Sequence, residues 1–465
     1  MASSVAAKTP PRRRGGRRIL VVLAIVILLV GGAVVWLNVA AQASVNASAL
    51  LTVYQPAASV SHGGGAFNNA NTGAVVEPGD TLKTDGKGRA SITLPDGTVT
   101  RMAKDTTFTL DAAHFNKSGT LHDVTLAQQI GRTFTNVQHL VSGATFNVKG
   151  KSATASVRGT KFEVYIKADG TMIVKLFQGT ITVTSAKGSV TFNAPQQVEV
   201  KPDGTIGQPG PIVPDPDDPF GPEINAQDAV SANTTPGTEQ DFIGAPIHDG
   251  ESTQFTYAYA GGHVLKASLA YAGSAMKLTA KAPDGQQYVA TGKLPTIVIN
   301  NAPSGIYKFI ADGISGLGPS GEQPFLAVAS VEDCKSADVA QNGAVHRGYT
   351  AADLVSAVQL SGGAPGISKL SLNISENQVF GAIVDGKGLY NGLGWTGSVV
   401  VVPNNGRLNI MPVSGTVLGV NVPASQVVQQ VANAIGQDPS NVYIGFNVER
   451  LFTCDSVLMI DGRVS

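Results

Sequence analysis

The sequence has little cysteine, little charge and few aromatic residues. Two cysteines among 465 residues exclude a disulfide-dense scaffold and a four-cysteine zinc site. Charged residues make up 14% of the chain, whereas a typical soluble protein has about 25%. The hydrophobic fraction of 43% is still ample for buried cores, which argues against wholesale disorder. With 54 glycines, this composition favours a mainly β, multidomain protein.

Enzyme motifs are also missing. The seven histidines form no H-E-x-x-H pattern, and no G-x-S-x-G nucleophile elbow occurs. The run Gly63-Gly64-Gly65 lacks the lysine of a phosphate-binding loop. We therefore expect a protein that is not an enzyme, with no cofactor and no metal site.

Charge is unevenly distributed along the chain. Residues 1–18 carry six basic side chains and no acid, and the remaining residues hold 27 basic and 33 acidic groups. A mildly acidic body is a poor electrostatic match for nucleic acid, so no nucleic-acid partner is expected.

An uncharged run of 19 residues, Ile19 to Leu37, follows the basic cluster. A helix of this length spans about 28 Å, close to the thickness of the hydrocarbon core. The run predicts a transmembrane helix over residues 19–40, with residues 1–18 in the cytoplasm and the long body outside it. Cleavage as a signal peptide after Ala43 is the alternative, because Ala41-Gln42-Ala43 fits a cleavage site. The run is longer than a usual signal core, which favours an uncleaved single-pass anchor in the cell membrane.

The pattern of residues 48–206 predicts many short strands. Apolar and polar side chains alternate in segments such as Ala90 to Leu94 and Phe162 to Ile166. This period of two places the apolar side chains on one face of a sheet. Turn pairs such as Asp96-Gly97 separate the segments at regular intervals, so the region is predicted to be a β-rich domain.

Ordered blocks in this region, over residues about 50–206, resemble the FecR domain. The blocks are GAVVEPGDTLKT at 73–84, GRASI at 88–92, LPDGT at 94–98, TASVRGTKF at 154–162 and FQGTITV at 177–183. The signature residues are expected to be mainly structural, with binding as a second role: Gly79, Asp80, Asp96, Gly97, Arg158, Gly159 and Thr160. The glycine–aspartate pairs fit turns, and Arg158 fits either a tie between loops or a contact to a ligand anion.

The FecR resemblance implies a transmembrane signal transducer with a cytoplasmic anti-sigma segment and a receptor-facing part. Only the 18 residues before Ile19 precede the predicted span, which is too few for a folded anti-sigma module. We therefore expect an extracytoplasmic interaction module, with sigma regulation as an alternative.

Proline and aspartate accumulate in residues 207–240, including Asp215, Asp217 and Asp218. This composition predicts a solvated, extended linker. The aspartates lack the spacing and the glycine of an EF-hand, so calcium binding is not expected.

Residues 241–333 return to strand patterning, with a turn at Pro283-Asp284-Gly285. The segment Gly305 to Phe309 resembles a late strand of bacterial jelly-roll modules, which implies a β-sandwich. Four tyrosines of this region fit either sheet packing or a sugar-stacking face: Tyr257, Tyr259, Tyr271 and Tyr288.

Residues 334–465 predict an α+β domain. Thr350 and Asp353 fit a capping-box-like helix start, and a second helix is expected from Pro423, with strands between them. Residues about 345–460 resemble the LmeA-like phospholipid-binding family, related to TULIP lipid carriers. The resemblance implies an apolar groove for phospholipid, and the alternative is a domain with a filled core.

Cys334 and Cys454 bracket this last domain. Outside the cytoplasm two cysteines are expected to be oxidised, so they predict a disulfide. The sequence as a whole predicts a membrane-anchored extracytoplasmic protein whose FecR-like module binds a partner protein or an envelope glycan. Phospholipid binding by the C-terminal domain is an alternative.

Overall fold

The computed structural model describes residues 45–115, 121–137, 144–157, 159–270, 276–318, 321–332, 334, 338–341, 343–360, 367–375, 382–390, 392–417, 420–421, 438 and 441–464. Several predicted features lie outside these residues: the segments 1–18 and 19–40, the cleavage site at Ala43, Arg158, Tyr271 and the helix expected from Pro423. Within the described ranges, no helix is both long and apolar enough to cross a membrane.

In the first part of the chain, the described residues form an N-terminal β body of seventeen strands. They are β1 (Val45–Asn46), β2 (Ala49–Gln55), β3 (Ala58–Ser61), β4 (Asn68–Asn69), β5 (Val75–Val76), β6 (Thr81–Thr84), β7 (Arg89–Thr93), β8 (Val99–Met102), β9 (Thr107–Phe115), β10 (Leu121–Asn136), β11 (Thr145–Lys149), β12 (Ala153–Val157), β13 (Lys161–Ile166), β14 (Met172–Gln178), β15 (Thr180–Ser185), β16 (Gly188–Asn193) and β17 (Gln196–Val200).

The long strand β10 belongs to two sheets of this body. Its first half pairs with β9 and with β11, the latter in parallel. Its second half pairs with β8 and β13. The sheets run β4-β3-β6-β9-β10-β11-β12-β15-β16, with β1 also on β9, and β5-β2-β7-β8-β10-β13-β14-β17. Their inward faces share one apolar core, so the predicted mainly β architecture is confirmed.

Strand β7 shows where the alternation of apolar and polar residues is insufficient. Ala90 and Ile92 lie in the core as the period of two predicts, but Arg89 and Ser91 on the opposite face are buried as well. At Arg89 that face is covered by a helix from the region predicted to be a solvated linker, whose Glu223 and Phe220 contact the guanidinium.

Helix α1 (Phe220–Ser231) corrects that linker prediction. It begins directly after Pro219 and buries Phe220, Glu223 and Ile224. The ring centroid of Phe220 lies 5.7 Å from that of Phe134 in the N-terminal β body. The prediction of a solvated linker is wrong here, because these apolar side chains gain burial against the preceding domain.

The middle region forms two four-stranded antiparallel sheets, ordered β18-β25-β20-β23 and β19-β24-β21-β22. The strands are β18 (Gln240–Ile243), β19 (Ser252–Tyr259), β20 (Leu265–Ala270), β21 (Met276–Lys281), β22 (Gln287–Gly292), β23 (Thr296–Ile299), β24 (Gly305–Gly313) and β25 (Phe325–Ser330). Both sheets contribute to one apolar core. Tyr257 and Tyr259 are buried in it, so these two tyrosines pack the sheets and offer no face to a sugar. We call this region the middle sandwich.

The C-terminal domain contains a four-stranded sheet ordered β26-β27-β34-β33 and a five-stranded sheet ordered β28-β29-β30-β31-β32. Its elements are β26 (Asp338–Gln341), β27 (Ala344–Thr350), α2 (Ala351–Leu360), β28 (Ile367–Ser375), β29 (Ala382–Tyr390), β30 (Leu393–Asn404), β31 (Arg407–Val417), β32 (Val420–Asn421), β33 (Asn447–Cys454) and β34 (Val457–Arg463).

Two local predictions for the C-terminal domain are confirmed. At the start of α2, Thr350 Oγ1 accepts the Asp353 N–H at 3.1 Å, and Asp353 Oδ2 accepts the Thr350 N–H at 2.9 Å. Cys334 and Cys454 form a disulfide, with Cα atoms 5.3 Å apart. The predicted lipid groove remains a prediction, because the second helix that would enclose it lies outside the described residues.

Candidate functional site

The signature residues predicted from the FecR resemblance lie in separate turns. Asp80, between β5 and β6, is buried, and its carboxylate accepts the Glu77 N–H at 2.9 Å and the Gly63 N–H at 3.3 Å. His62 Nδ1 lies 2.8 Å from the same carboxylate. Gly79 has φ +98°, a left-handed conformation that favours glycine. Asp80 therefore stabilises this turn.

Asp96 and Gly97 form the turn between β7 and β8. Asp96 accepts hydrogen bonds from the Thr98 N–H at 3.0 Å and the Thr98 hydroxyl at 2.9 Å, and Gly97 has φ +85°. Burial raises the pKa of Asp96. The predicted turn is present, and its carboxylate is directed at its own backbone.

Gly159 and Thr160 lie between β12 and β13. Gly159 has φ +63°, and the Thr160 carbonyl accepts the Val137 N–H at 2.9 Å. Gly179 faces Thr160 so closely that a Cβ there would lie 2.6 Å from Thr160 Cγ2. Their contacts are structural, and the described signature residues do not line the cleft defined below.

A first buried charge cluster joins the N-terminal β body to α1 and the middle sandwich. Glu223 on α1, 2% exposed, accepts hydrogen bonds from Arg89 at 2.5 Å and Arg101 at 2.9 Å. Arg101 also donates to Asp241 on β18 at 3.1 Å. Burial by itself would lower the pKa of Arg101, but Asp241 and Glu223 outweigh it and raise that pKa. These contacts join strands β7 and β8 to α1 and β18, across separations of 122 to 140 positions in the sequence.

A second cluster pairs Asp215 and Asp218 of the predicted linker with cations of the N-terminal β body. Asp215 lies 2.5 Å from Arg132, and Asp218 lies 2.5 Å from Lys175. Glu163 contacts both cations, Arg132 and Lys175. Burial together with the nearby Asp218 raises the pKa of Glu163 to about 8. These aspartates bind side chains of the N-terminal β body rather than solvent, because two buried cations need partners.

A third cluster joins the C-terminal domain to the middle sandwich. Arg450 on β33 donates to Tyr257 Oη at 2.5 Å and to Glu332 at 2.5 Å, and it also contacts Asp461. His346 Nδ1 lies 2.6 Å from Asp461. Glu332, His346 and Asp461 offer potential metal-ligand atoms within 4.8 Å of one another. The Arg450 guanidinium already binds both carboxylates, so a metal ion would have to displace it.

The N-terminal β body, the middle sandwich and the C-terminal domain meet around a cleft of about 840 Å³, which we call the interdomain cleft. The N-terminal β body contributes Tyr54, Arg101 and Lys161, and α1 contributes Gln227 and Asp228. The middle sandwich and the segment before it contribute Glu239, Gln240, Asp241, Phe242, Gln254 and Phe255, and the C-terminal domain contributes Glu449, Arg450 and Arg463. A preformed concave site with convergent polar groups is suited to binding.

Sequence reasoning missed this cleft. Its acidic, basic and aromatic residues come from segments up to several hundred positions apart, with no shared motif. The density of prolines in residues 207–240 also obscured Glu223 and Gln227, which lie on the helix that joins the domains.

Residues 80–182 match the family model described as FecR protein. The chain carries a FecR domain. This match falls within the N-terminal β body, from the Asp80 turn to strand β15, and confirms the resemblance drawn from the sequence blocks. The other walls of the interdomain cleft lie outside the matched residues.

Solved structures include two of a protein assigned as an anti-sigma factor from Parabacteroides distasonis, each 22% identical to this chain, with TM-scores of 0.25 and 0.24. Each alignment covers 28% of this chain and 59% of that protein, so the chain spans less than two thirds of its length. A structure of PNGF-II is 8% identical over 67% of this chain and 71% of that one, with a TM-score of 0.10. No curated protein matches the chain.

Proposed function

We propose that this chain is a non-enzymatic, single-pass membrane protein whose extracytoplasmic body binds a partner protein or an envelope glycan. The FecR domain, the middle sandwich and the C-terminal domain act as one receptor body in this proposal. The observation that carries it is the interdomain cleft, whose walls are joined by buried arginine–carboxylate clusters.

Burial makes these clusters effective at fixing the arrangement of the domains. Breaking a buried pair leaves an uncompensated charge away from water, which is strongly unfavourable. Arg101 bridges Glu223 and Asp241, and Arg450 bridges Glu332 and Asp461, so both junctions resist separation. A cleft held open in this way can bind a ligand without a large ordering cost.

The anchor part of the proposal is tested by cell fractionation. The full chain is expected in the membrane fraction, and a variant lacking residues 1–40 is expected outside it. A reporter fused to the C-terminus should be active only outside the cytoplasm. A reporter active only inside the cell, or a truncated variant that stays in the membrane, would overturn this topology.

The binding part is tested by photo-crosslinking in cells. A crosslinking amino acid at Gln254, which is exposed and lines the interdomain cleft, should give a defined adduct. The same amino acid at exposed Lys281, which is not among the lining residues, is the matched control. The same adducts from both positions, or none from Gln254, would contradict recognition at the cleft.

A second candidate is a signal transducer of the FecR type, favoured by the match of residues 80–182. In that case residues 1–18 and the span would pass a signal to a cytoplasmic regulator such as a sigma factor. A pulldown with a peptide of residues 1–18 tests it, with a charge-preserving scrambled peptide as the control. Specific recovery of a sigma factor supports the transducer, and equal recovery with both peptides counts against it.

A further inference from the structure

The basic groups of the interdomain cleft already have acidic partners. Lys161 Nζ lies 3.0 Å from Asp228, and Arg463 forms a salt bridge with Glu449. Arg101 is bound by Glu223 and Asp241. An anionic ligand would have to compete with these carboxylates for each cation.

Glu239 differs from these paired groups. It accepts a hydrogen bond from Gln227 Nε2 at 2.7 Å, and it forms no salt bridge with any residue that the structure describes. Glu239 lies two positions before Asp241 in the wall of the cleft. The wall therefore holds a carboxyl group that lacks a cationic partner among the described side chains.

The two carboxylate oxygens of Asp241, the residue next to Glu239 in the wall, have different hydrogen-bond partners. Asp241 Oδ2 accepts hydrogen bonds from Arg101 at 3.1 Å and Gln227 at 2.9 Å. Asp241 Oδ1 is buried and accepts no hydrogen bond from an N–H or hydroxyl group of the described residues. Asp241 also shares a hydrogen bond with the Glu239 carboxyl group, which must be protonated to donate it. A cationic donor from a ligand would take the place of that single proton and stabilise both carboxylates.

The raised pKa values of Glu239 and Asp241 agree with the absence of a salt bridge from Glu239 to any described residue. Burial, and then the neighbouring Asp241, raises the pKa of Glu239 to about 8. Burial raises the pKa of Asp241 to about 6, although Arg101 opposes the shift. The ionisable groups that face the pair from neighbouring elements are Tyr54 on β2, Arg101 on β8, Lys161 on β13 and Glu223 on α1.

Aromatic rings lie in the same cleft. Phe242 directly follows Asp241, and its ring centroid is 5.8 Å from that of Phe255. Tyr54 lines the cleft as well. Such rings offer an apolar surface for the methylene chain of an amine and a favourable face for its charge.

We infer that the interdomain cleft binds a primary ammonium or guanidinium group against Glu239 and Asp241, with its carbon chain against Tyr54 and Phe242. This inference rests on the proposed binding role of the extracytoplasmic body. The cation would donate to Asp241 Oδ1 and displace the proton from Glu239, forming a charge-assisted hydrogen bond there. The group could belong to a free amine or to a lysine or arginine side chain of a partner protein.

The test is calorimetric titration of the full chain in detergent micelles at pH 7. The probes are agmatine as a free amine and acetyl-Gly-Arg-Gly-amide as a side chain in a peptide, with 1,4-butanediol as the neutral control. Either cation should bind, and 1,4-butanediol should not. The binding heat should differ between phosphate and Tris buffers, because Glu239 releases its proton. Agmatine alone would identify a free amine as the ligand, and binding of the peptide would identify a protein side chain.

Glu239→Gln keeps the shape and the hydrogen bond of the protonated group, so it is expected to fold. It should weaken cation binding by about 10-fold or more, in line with a lost hydrogen bond between charged groups. It should also remove the difference between the two buffers. Glu251→Gln, an exposed carboxyl group beside His248, is the matched control and should bind as the wild type does.

The inference is overturned if neither cation binds at about 10 mM, a concentration that would detect even millimolar affinity. It is also overturned if Glu239→Gln binds both cations as tightly as the wild type. If the cations fail while crosslinking from Gln254 still captures a partner in cells, the cation inference is wrong and the proposed function stands.

Discussion

Arg101 Nη2 on β8 of the FecR domain lies 3.1 Å from Asp241 Oδ2 on β18 of the middle sandwich, although the two residues are 140 positions apart. The same guanidinium binds Glu223 on α1 at 2.9 Å. One arginine therefore holds the FecR domain, the helix that follows it and the middle sandwich together. Its position also defines one wall of the interdomain cleft.

Replacing Glu223, which binds both Arg89 and Arg101, should lower the free energy of unfolding more than replacing an exposed acidic residue. Glu223→Ala leaves Arg89 and Arg101 buried beside no partner on α1, so the free energy of unfolding should fall by about 3–5 kcal/mol. Urea unfolding measures the change. Asp203→Ala removes an exposed salt bridge to Lys187 and the turn hydrogen bonds that Asp203 accepts from Thr205, so it should lower the midpoint only slightly compared with Glu223→Ala. A Glu223→Ala protein as stable as the Asp203→Ala control would show that the cluster does not hold the domains.

Stability should depend on pH through Glu239. Its pKa is raised to about 8 in the folded protein, so between about pH 4.5 and 8 the folded state holds a proton that the unfolded state has lost. The free energy of unfolding should therefore fall as pH rises through this window, by at most about 1.4 kcal/mol per pH unit for one group. Glu239→Gln cannot lose a proton, so its profile from urea unfolding at pH 5 to 8.5 should fall less steeply. Parallel profiles for the two proteins would contradict the assignment.

Reduction of the disulfide should destabilise the C-terminal domain. Cys334 and Cys454 are 120 positions apart, and closing so long a loop contributes about 4–5 kcal/mol in the chain-entropy model. Thermal melting with and without reductant should show a lower transition temperature in the reduced protein. The double variant Cys334→Ser, Cys454→Ser should melt at that lower temperature in both conditions. An unchanged melt, or two free thiols by titration without reductant, would refute the prediction.

Alanine substitutions at two turn glycines should distinguish the cost of backbone strain from the cost of steric crowding. Gly179 and Gly285 have φ values of +91° and +88°, so alanine at either position adopts an unfavourable conformation at a cost of about 1–2 kcal/mol. Only at Gly179 would the new methyl group meet another side chain, 2.6 Å from Thr160 Cγ2. Gly179→Ala should therefore lose about 1–3 kcal/mol more than Gly285→Ala in urea unfolding. Equal losses would show that Thr160 moves aside freely.

Local features were predictable because they depend on neighbouring residues. The period of two correctly assigned Ala90 and Ile92 to a core face, and the Asp96-Gly97 turn follows from the conformations that these two residue types prefer. The start of α2 followed from Thr350 and Asp353 three positions apart. None of these predictions required knowledge of a distant part of the chain.

Helix α1 escaped prediction for the opposite reason. Its flanking prolines and its weak separation of apolar and polar faces are typical of a linker, and its apolar residues do not form a clear stripe. Phe220 and Glu223 become informative only beside Phe134, Arg89 and Arg101. Burial against a neighbouring domain decides the conformation of such a segment.

The sequence by itself determined the β class, the turns, the FecR signature and the pair of cysteines, because periodicity, turn chemistry and motif order are local properties. The tertiary structure alone decided which acid neutralises which arginine and where the interdomain cleft lies. The sequence does not show which acidic residue pairs with which basic residue. That pairing is decided when the domains dock, because docking removes both charges from water and places them within hydrogen-bonding distance. For the same reason Glu239 is one acidic residue among 33 in the sequence, and only the fold sets it beside Asp241 with no salt bridge to any residue that the structure describes.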